Sequence, residues 1–264
     1  MNWEIKEILY DKVPVVYRVY GEGTAIVLLH GYLESAEIWT DFVTYFPNYK
    51  IIVPDLPGHG ASGVQTKQRV ESMALAMAAI LRNEEIEQAH WVGHSMGGYV
   101  LLALLELAPQ LAVSACLFHS HVFADAPLTK EKRSREIEIA KQGRQELLIQ
   151  NLGHAFATEL AAQHSELIVW AKEIARGTTP EGIVACLDAM KIRPDRAHIW
   201  QSLSIPNLII AGKLDNFISA EILETIKLGP IGLLAFLYKS GHQGFLEEAT
   251  ESAELLKSFW NTCY

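Results

Sequence analysis

The 264 residues, half of them apolar, are enough to bury a sizeable core as one domain or one domain with an insertion. A formal charge of −9 without long like-charge blocks excludes nucleic acid as a partner, since that needs a basic footprint. No apolar run approaches bilayer length, no secretory leader is visible, and three scattered cysteines (Cys116, Cys186, Cys263) lack metal-ligand spacing, so no membrane partner and a reducing cytoplasm are expected.

Residues 3–9 and 13–20 read as two strands joined by a turn at Tyr10-Asp11-Lys12, forming an antiparallel edge. Ala25 to Leu29 is apolar without alternation, as in a strand buried on both faces, and ends at His30-Gly31-Tyr32. Ser35 is placed to cap a helix running to about Phe46, with Ile38, Trp39, Phe42 and Val43 as its inner face. Lys50 to Val53 is a short strand closed by the Pro-Gly-rich loop Pro54 to Ser62, and a helix is expected from about Val70 to Arg82.

A strand ending in Gly93-His94-Ser95-Met96-Gly97-Gly98 runs directly into the apolar helical stretch Tyr99 to Leu107. Strand, sharp turn and helix form the context that a G-x-S-x-G match requires. Glycines two positions either side of Ser95 allow close backbone approach, and the turn lifts the hydroxyl above the sheet. The helix N-terminus aims its positive end at the same point, so Ser95 can attack a carbonyl and the Met96 amide can bind the resulting oxyanion.

Leu111 to Phe118 is a further strand. From His121 to about Leu203 strands cease, and helical periodicity covers 130–150, 155–175 and Pro180 to Ile192; residues 121–203 therefore read as a helical insertion into a core of 1–120 and 204–264. The charged run Thr129 to Glu138 reads as a solvated helical face. Alternation resumes with a strand at 206–211, a helix at 219–227, a strand at 233–238 and a last helix at 245–260. The fold class is α/β, a mostly parallel sheet of about eight strands with helices on both faces. Ligands on such sheets bind at the carboxyl ends of the strands.

A serine hydroxyl needs a base. Of ten histidines, His90, His94, His154, His164 and His198 have structural explanations, whereas His242 lies in the glycine-flanked loop Ser240 to Gly244, past the last strand. Asp215, in the short loop Ala211-Gly212-Lys213-Leu214-Asp215, stands one strand away and is the preferred partner to orient the imidazole. Asp125 is its rival, at the root of the insertion, and Asp55 is read as a turn cap.

The order Ser95, Asp215, His242, together with His30-Gly31-Tyr32, Asp55-Leu56-Pro57-Gly58-His59-Gly60-Ala61-Ser62 and Gly241-His242, resembles the serine hydrolases of the α/β-hydrolase superfamily that carry a helical cap. The resemblance spans residues 30 to 242. It implies an oxyanion hole from the amides of Tyr32 and Met96, a cap at 121–203, and neither metal nor organic cofactor. Serine at the elbow, where dehalogenases and epoxide hydrolases of this fold have aspartate, argues against those activities. His94 and Met96 likewise depart from the Gly-Gly-Ser-Trp-Gly usual in proline iminopeptidases.

The expected activity is hydrolysis of a small or medium carboxylic ester through an acyl-enzyme, the partner being a small-molecule acyl substrate. Thioester, lactone or carbon–carbon hydrolysis by the same triad is the alternative, as is a non-catalytic ligand-binding receptor. Tyr32, Trp39, Phe123, Phe156, Trp170, Met190 and Phe217 suit either an acyl pocket or core packing; Phe123, Met190 and Phe217 are the substrate-binding candidates. Oligomeric state is not legible in the sequence.

Overall fold

The computed structural model describes residues 3–263. Eight strands form one sheet: β1 (Glu4–Tyr10), β2 (Val13–Tyr20), β3 (Thr24–Leu29), β4 (Tyr49–Pro54), β5 (Ala89–His94), β6 (Ala112–Phe118), β7 (Asn207–Gly212) and β8 (Gly232–Leu237). Their spatial order is β1-β2-β4-β3-β5-β6-β7-β8. β2 is antiparallel to both its neighbours, and β3 to β8 are mutually parallel, so only β2 runs against the rest. β5 and β7 are buried throughout, which explains why their sequences are apolar without a period of two.

The helices are α1 (Val70–Asn83), α2 (Met96–Leu107), α3 (Pro127–Lys141), α4 (Glu146–Gln150), α5 (Ser165–Arg176), α6 (Pro180–Ile192), α7 (Ala197–Gln201), α8 (Ala220–Glu224), α9 (Gly244–Glu247) and α10 (Ala249–Asn261). The two sheet faces carry separate cores. One holds Trp91 and Leu117 with residues of α1, α2 and α6; the other holds Val92 and Phe118 with Trp39, Phe42 and Trp260. Alternate residues of a strand point to opposite faces, so neighbouring residues enter different cores.

Several element boundaries differ from expectation. Residues 35–46 form no continuous α-helix but two 3₁₀ turns, Ala36–Trp39 and Phe42–Tyr45. The hydroxyls of Thr40 and Thr44 each donate to the carbonyl three residues back, at 2.7 Å, competing with the i→i+4 pattern. The expected inner face survives, with Ile38, Trp39, Phe42 and Val43 all buried. The stretch 130–150 breaks after α3 at Gly143, whose φ of +70° ends the helix. The last helix divides at Glu248 into α9 and α10. Between β6 and β7 the described chain is helical without a strand.

Candidate active site

Ser95 follows β5 with φ 48° and ψ −112°, an uncommon conformation for a residue with a Cβ. It is held by its own amide donating to the Phe118 carbonyl at 3.0 Å and by the Ser120 hydroxyl donating to its carbonyl at 2.8 Å. The flanking glycines are required by contact: a Cβ at Gly93 would lie 2.6 Å from the Gly97 carbonyl oxygen, and one at Gly97 would lie 2.5 Å from that of Leu29. As the first residue of α2, Met96 has an amide with no intrahelical acceptor.

His242 and Asp215 meet as the sequence order suggests. Nδ1 of His242 is 2.7 Å from Oδ2 of Asp215, so in the neutral ring the proton sits on Nδ1 and Nε2 keeps its lone pair. Asp215 is itself fixed, its Oδ1 accepting the amides of Phe217 and Ile218 at 2.7 and 3.0 Å. Burial alone would raise its pKa, but His242 and His119 hold it well below the usual carboxylate range.

His119, just past β6, was not anticipated. It is fully buried at φ +47°, and its Nδ1 lies 3.4 Å from the same Asp215 oxygen. The amides of Gly212 and Gly244 approach Nδ1 and Nε2, each at 3.2 Å, and a neutral ring can accept only one of them. The facing carboxylate selects the form that donates from Nδ1 and accepts from Gly244. Burial pushes the His119 pKa down to about 4, against the pull of Asp215, so the ring is neutral near pH 7. His119, Asp215 and His242 place one ligand atom each within 4.8 Å of one another, a spacing that could hold a metal ion. With Nδ1 of His242 donating to Asp215, however, its lone pair there is not available to one.

The loop after β3 is pinned on both sides of Tyr32. The Gly31 amide donates to Oε2 of Glu34 at 2.6 Å, and the Leu33 amide to Nε2 of His59 at 3.2 Å, with Leu33 at φ +62°. His30 accepts the Leu56 amide at 2.9 Å, tying this loop to the one after β4. Burial pushes the pKa values of both His30 and His59 down, which suits neutral rings acting as acceptors. Asp55 is a turn clamp, accepting the amides of Ala36 at 2.7 Å and Ala61 at 2.9 Å.

Ser95 and His242 line a cavity of about 960 Å³ together with Tyr32, Phe123, Met190 and Phe217. Phe217 is half exposed and sets its ring edge-on to His242, with centroids 5.2 Å apart. Trp39 and Phe156 are core residues, and Trp170 packs on the same core. The run Thr129 to Glu138 is not wholly a solvated face, because Thr129, Lys132, Arg133 and Glu136 also line the cavity. Asp125 binds Arg193 at 2.5 Å and Arg133 through its Nε, so it joins α3 to the end of α6 rather than to a histidine. Beneath Ser95, buried His94 pairs with Glu34 at 3.0 Å. The sequence signals for these missed residues were slight: an acidic residue three past Gly31, and histidines at two strand ends.

A serine on a strained strand-to-helix turn, a histidine–aspartate pair on the same sheet edge, and an eight-stranded mostly parallel sheet define a hydrolase of the α/β type. The chain belongs to the alpha/beta hydrolase fold family, whose model matches residues 24–168. Among curated relatives it is 28% identical over 257 residues to a pimeloyl-(acyl-carrier protein) methyl ester esterase of Xanthomonas oryzae pv. oryzae, covering 91% of this chain and 96% of that one. It is 27% identical over 263 residues to a 2-hydroxy-6-oxononadienedioate/2-hydroxy-6-oxononatrienedioate hydrolase of Burkholderia vietnamiensis, covering 94% and 91%. The fold matches that of a thermophilic esterase from Thermogutta terrifontis with a TM-score of 0.93 at 22% identity, over 98% of this chain and 99% of that one. No helix among the described residues is long and apolar enough to cross a membrane.

Proposed function

We propose that this hydrolase cleaves a small or medium carboxylic ester through an acyl-enzyme. The carrying observation is the 2.7 Å contact of His242 with Asp215 in a cavity that Ser95 also lines. Ser95 Oγ attacks the ester carbonyl while Nε2 of His242 takes its proton. The oxyanion is received by the amides of Tyr32 and Met96. His242 then protonates the leaving alcohol, and a water activated by the same nitrogen hydrolyses the acyl-enzyme. Asp215 holds the ring in the required tautomer and stabilises the imidazolium formed at each transfer. Phe123, Met190 and Phe217 pack the acyl or alcohol portion, and residues 121–203 act as a cap that excludes water. The methyl ester esterase among the relatives supports an ester as the bond cleaved, and the 2-hydroxy-6-oxononadienedioate hydrolase keeps a carbon–carbon bond as the alternative.

Assay of short p-nitrophenyl esters tests the reading, alongside thioesters, lactones and a diketone acid. Ester turnover should be lost by about 10⁴-fold or more in kcat in Ser95→Ala, with loss of fluorophosphonate labelling. Persistent labelling of that variant removes Ser95 from the role. Turnover of the diketone acid alone reassigns the bond.

A further inference from the structure

Glu34 and His94 form a fully buried ion pair that the steps above do not use. Its charge state follows from the groups that surround the two side chains. Nε2 of His94 faces the His242 carbonyl oxygen at 2.9 Å, which can only accept, and Nδ1 faces Oε2 of Glu34 at 3.0 Å. That carboxylate oxygen already accepts the Gly31 amide, and Oε1 accepts the Gln243 side-chain amide at 2.8 Å. Nε2 therefore carries a proton, and with the amides of Gly31 and Gln243 favouring Glu34 as a carboxylate, the proton between the pair rests on Nδ1, making His94 an imidazolium. Burial alone would lower the His94 pKa and raise that of Glu34. The partners reverse both shifts: His94 is raised, and Glu34 is lowered to about 2.

Every bond of this pair ends on, or one residue from, a group assigned to the reaction. Gly31 precedes Tyr32, His94 precedes Ser95, and the His242 carbonyl belongs to the base itself. A Cβ on Gly31 would fall 2.8 Å from His94 Nδ1, so that residue also admits the pair. A buried ion pair is weak evidence for stability, because well-packed apolar residues commonly serve as well. Loss of registry by about 1 Å, in contrast, can cost about 10²-fold in rate. We propose that the Glu34–His94 ion pair is a positioning device that holds the oxyanion loop, the nucleophile turn and the histidine loop in mutual register. This rests on the roles given above to Tyr32, Ser95 and His242.

The test compares Glu34→Gln, His94→Gln and the double variant with Ser95→Ala, using a p-nitrophenyl ester, and follows Tm in parallel. Either single variant strands a buried charge; each should lower Tm and reduce kcat by about 10²-fold with KM within about threefold. The double variant removes both charges and should regain most of the lost Tm while kcat stays depressed. Nitrogen-15 NMR of the wild-type histidines should show both ring nitrogens of His94 protonated at pH 7. Recovery of kcat in step with Tm, or a singly protonated His94, overturns the positioning role. If a single variant does not fold, the double variant and the wild-type spectrum still decide. An active Ser95→Ala removes the reading of the site and this inference with it, whereas an inactive Ser95→Ala beside a fully active double variant removes only the inference.

Discussion

Asp215 divides its two oxygens between two histidine side chains and its own loop. Oδ2 lies 2.7 Å from Nδ1 of His242, while Oδ1 receives the amides of Phe217 and Ile218. The carboxylate is therefore fixed by the chain that carries it, and the ring it orients arrives from a different strand end. This explains how a loop only three residues past β7 can aim a charge so closely.

Asp215→Asn keeps the shape and removes the charge, favouring the wrong imidazole tautomer. The expected loss is up to about 10⁴-fold in kcat. Asp125→Asn should cost about tenfold or less in kcat, yet weaken the fold, because buried Arg193 then lacks its carboxylate. Steady-state kinetics and thermal melts on both variants check the contrast. The reverse order of damage to kcat would exchange their roles.

His119 shares Oδ2 of Asp215, so His119→Gln should loosen the carboxylate without touching substrate. A fall of about tenfold in kcat with little change in KM is expected, following the loss of a group that supports positioning. Unchanged kcat would leave His119 as packing beside Gly244.

Narrowing the cavity at Met190 should change selectivity rather than chemistry. Met190→Phe should reduce kcat/KM for long acyl esters more than for acetate, because Met190 lines the cavity from α6. A p-nitrophenyl ester series of increasing acyl length measures the ratio. Equal changes for every ester exclude a selective role there.

The Glu34–His94 pair sets the sign of one pH dependence. The folded Glu34 pKa lies below its ordinary 4.5, so its contribution is full above pH 4.5 and is lost as pH falls toward about 2. The folded His94 pKa lies above its ordinary 6.5, so its contribution is full below that value and is lost as pH rises through the raised one. Asp215, His242, His119 and His30 also face this pair, and the lowered Asp215 adds to the acid limb. Tm should fall at both ends of the range in the wild type. In the Glu34→Gln/His94→Gln variant the alkaline fall should diminish. Identical Tm profiles for the two proteins would show that the pair does not govern it.

Gly98→Ala should be poorly tolerated, since a Cβ there would lie 2.3 Å from Ser120 Oγ, which braces the Ser95 carbonyl. We expect a loss of about 1–3 kcal/mol, the usual range for overpacking. Denaturant unfolding measures it.

Much of this protein is written locally. The strands from β3 to β7 announce themselves as apolar runs because both their faces are covered. The Ser95 turn is legible because glycine is the residue that permits such close backbone approach at 93 and 97. Asp215 and His242 could be ranked because a parallel sheet delivers its strand ends to one edge.

The tertiary structure alone decided what those groups touch. Glu34 meets His94 across 60 residues and Gln243 across 209, and His119 meets Gly244 across 125. No local pattern encodes such contacts, since a buried charge is tolerable only when distant segments bring partners to it. The 3₁₀ turns at 36–45 were hidden for a related reason. Their apolar spacing suits an α-helix, and the outcome depended on where threonine hydroxyls and the distant Asp55 carboxylate found backbone to bind.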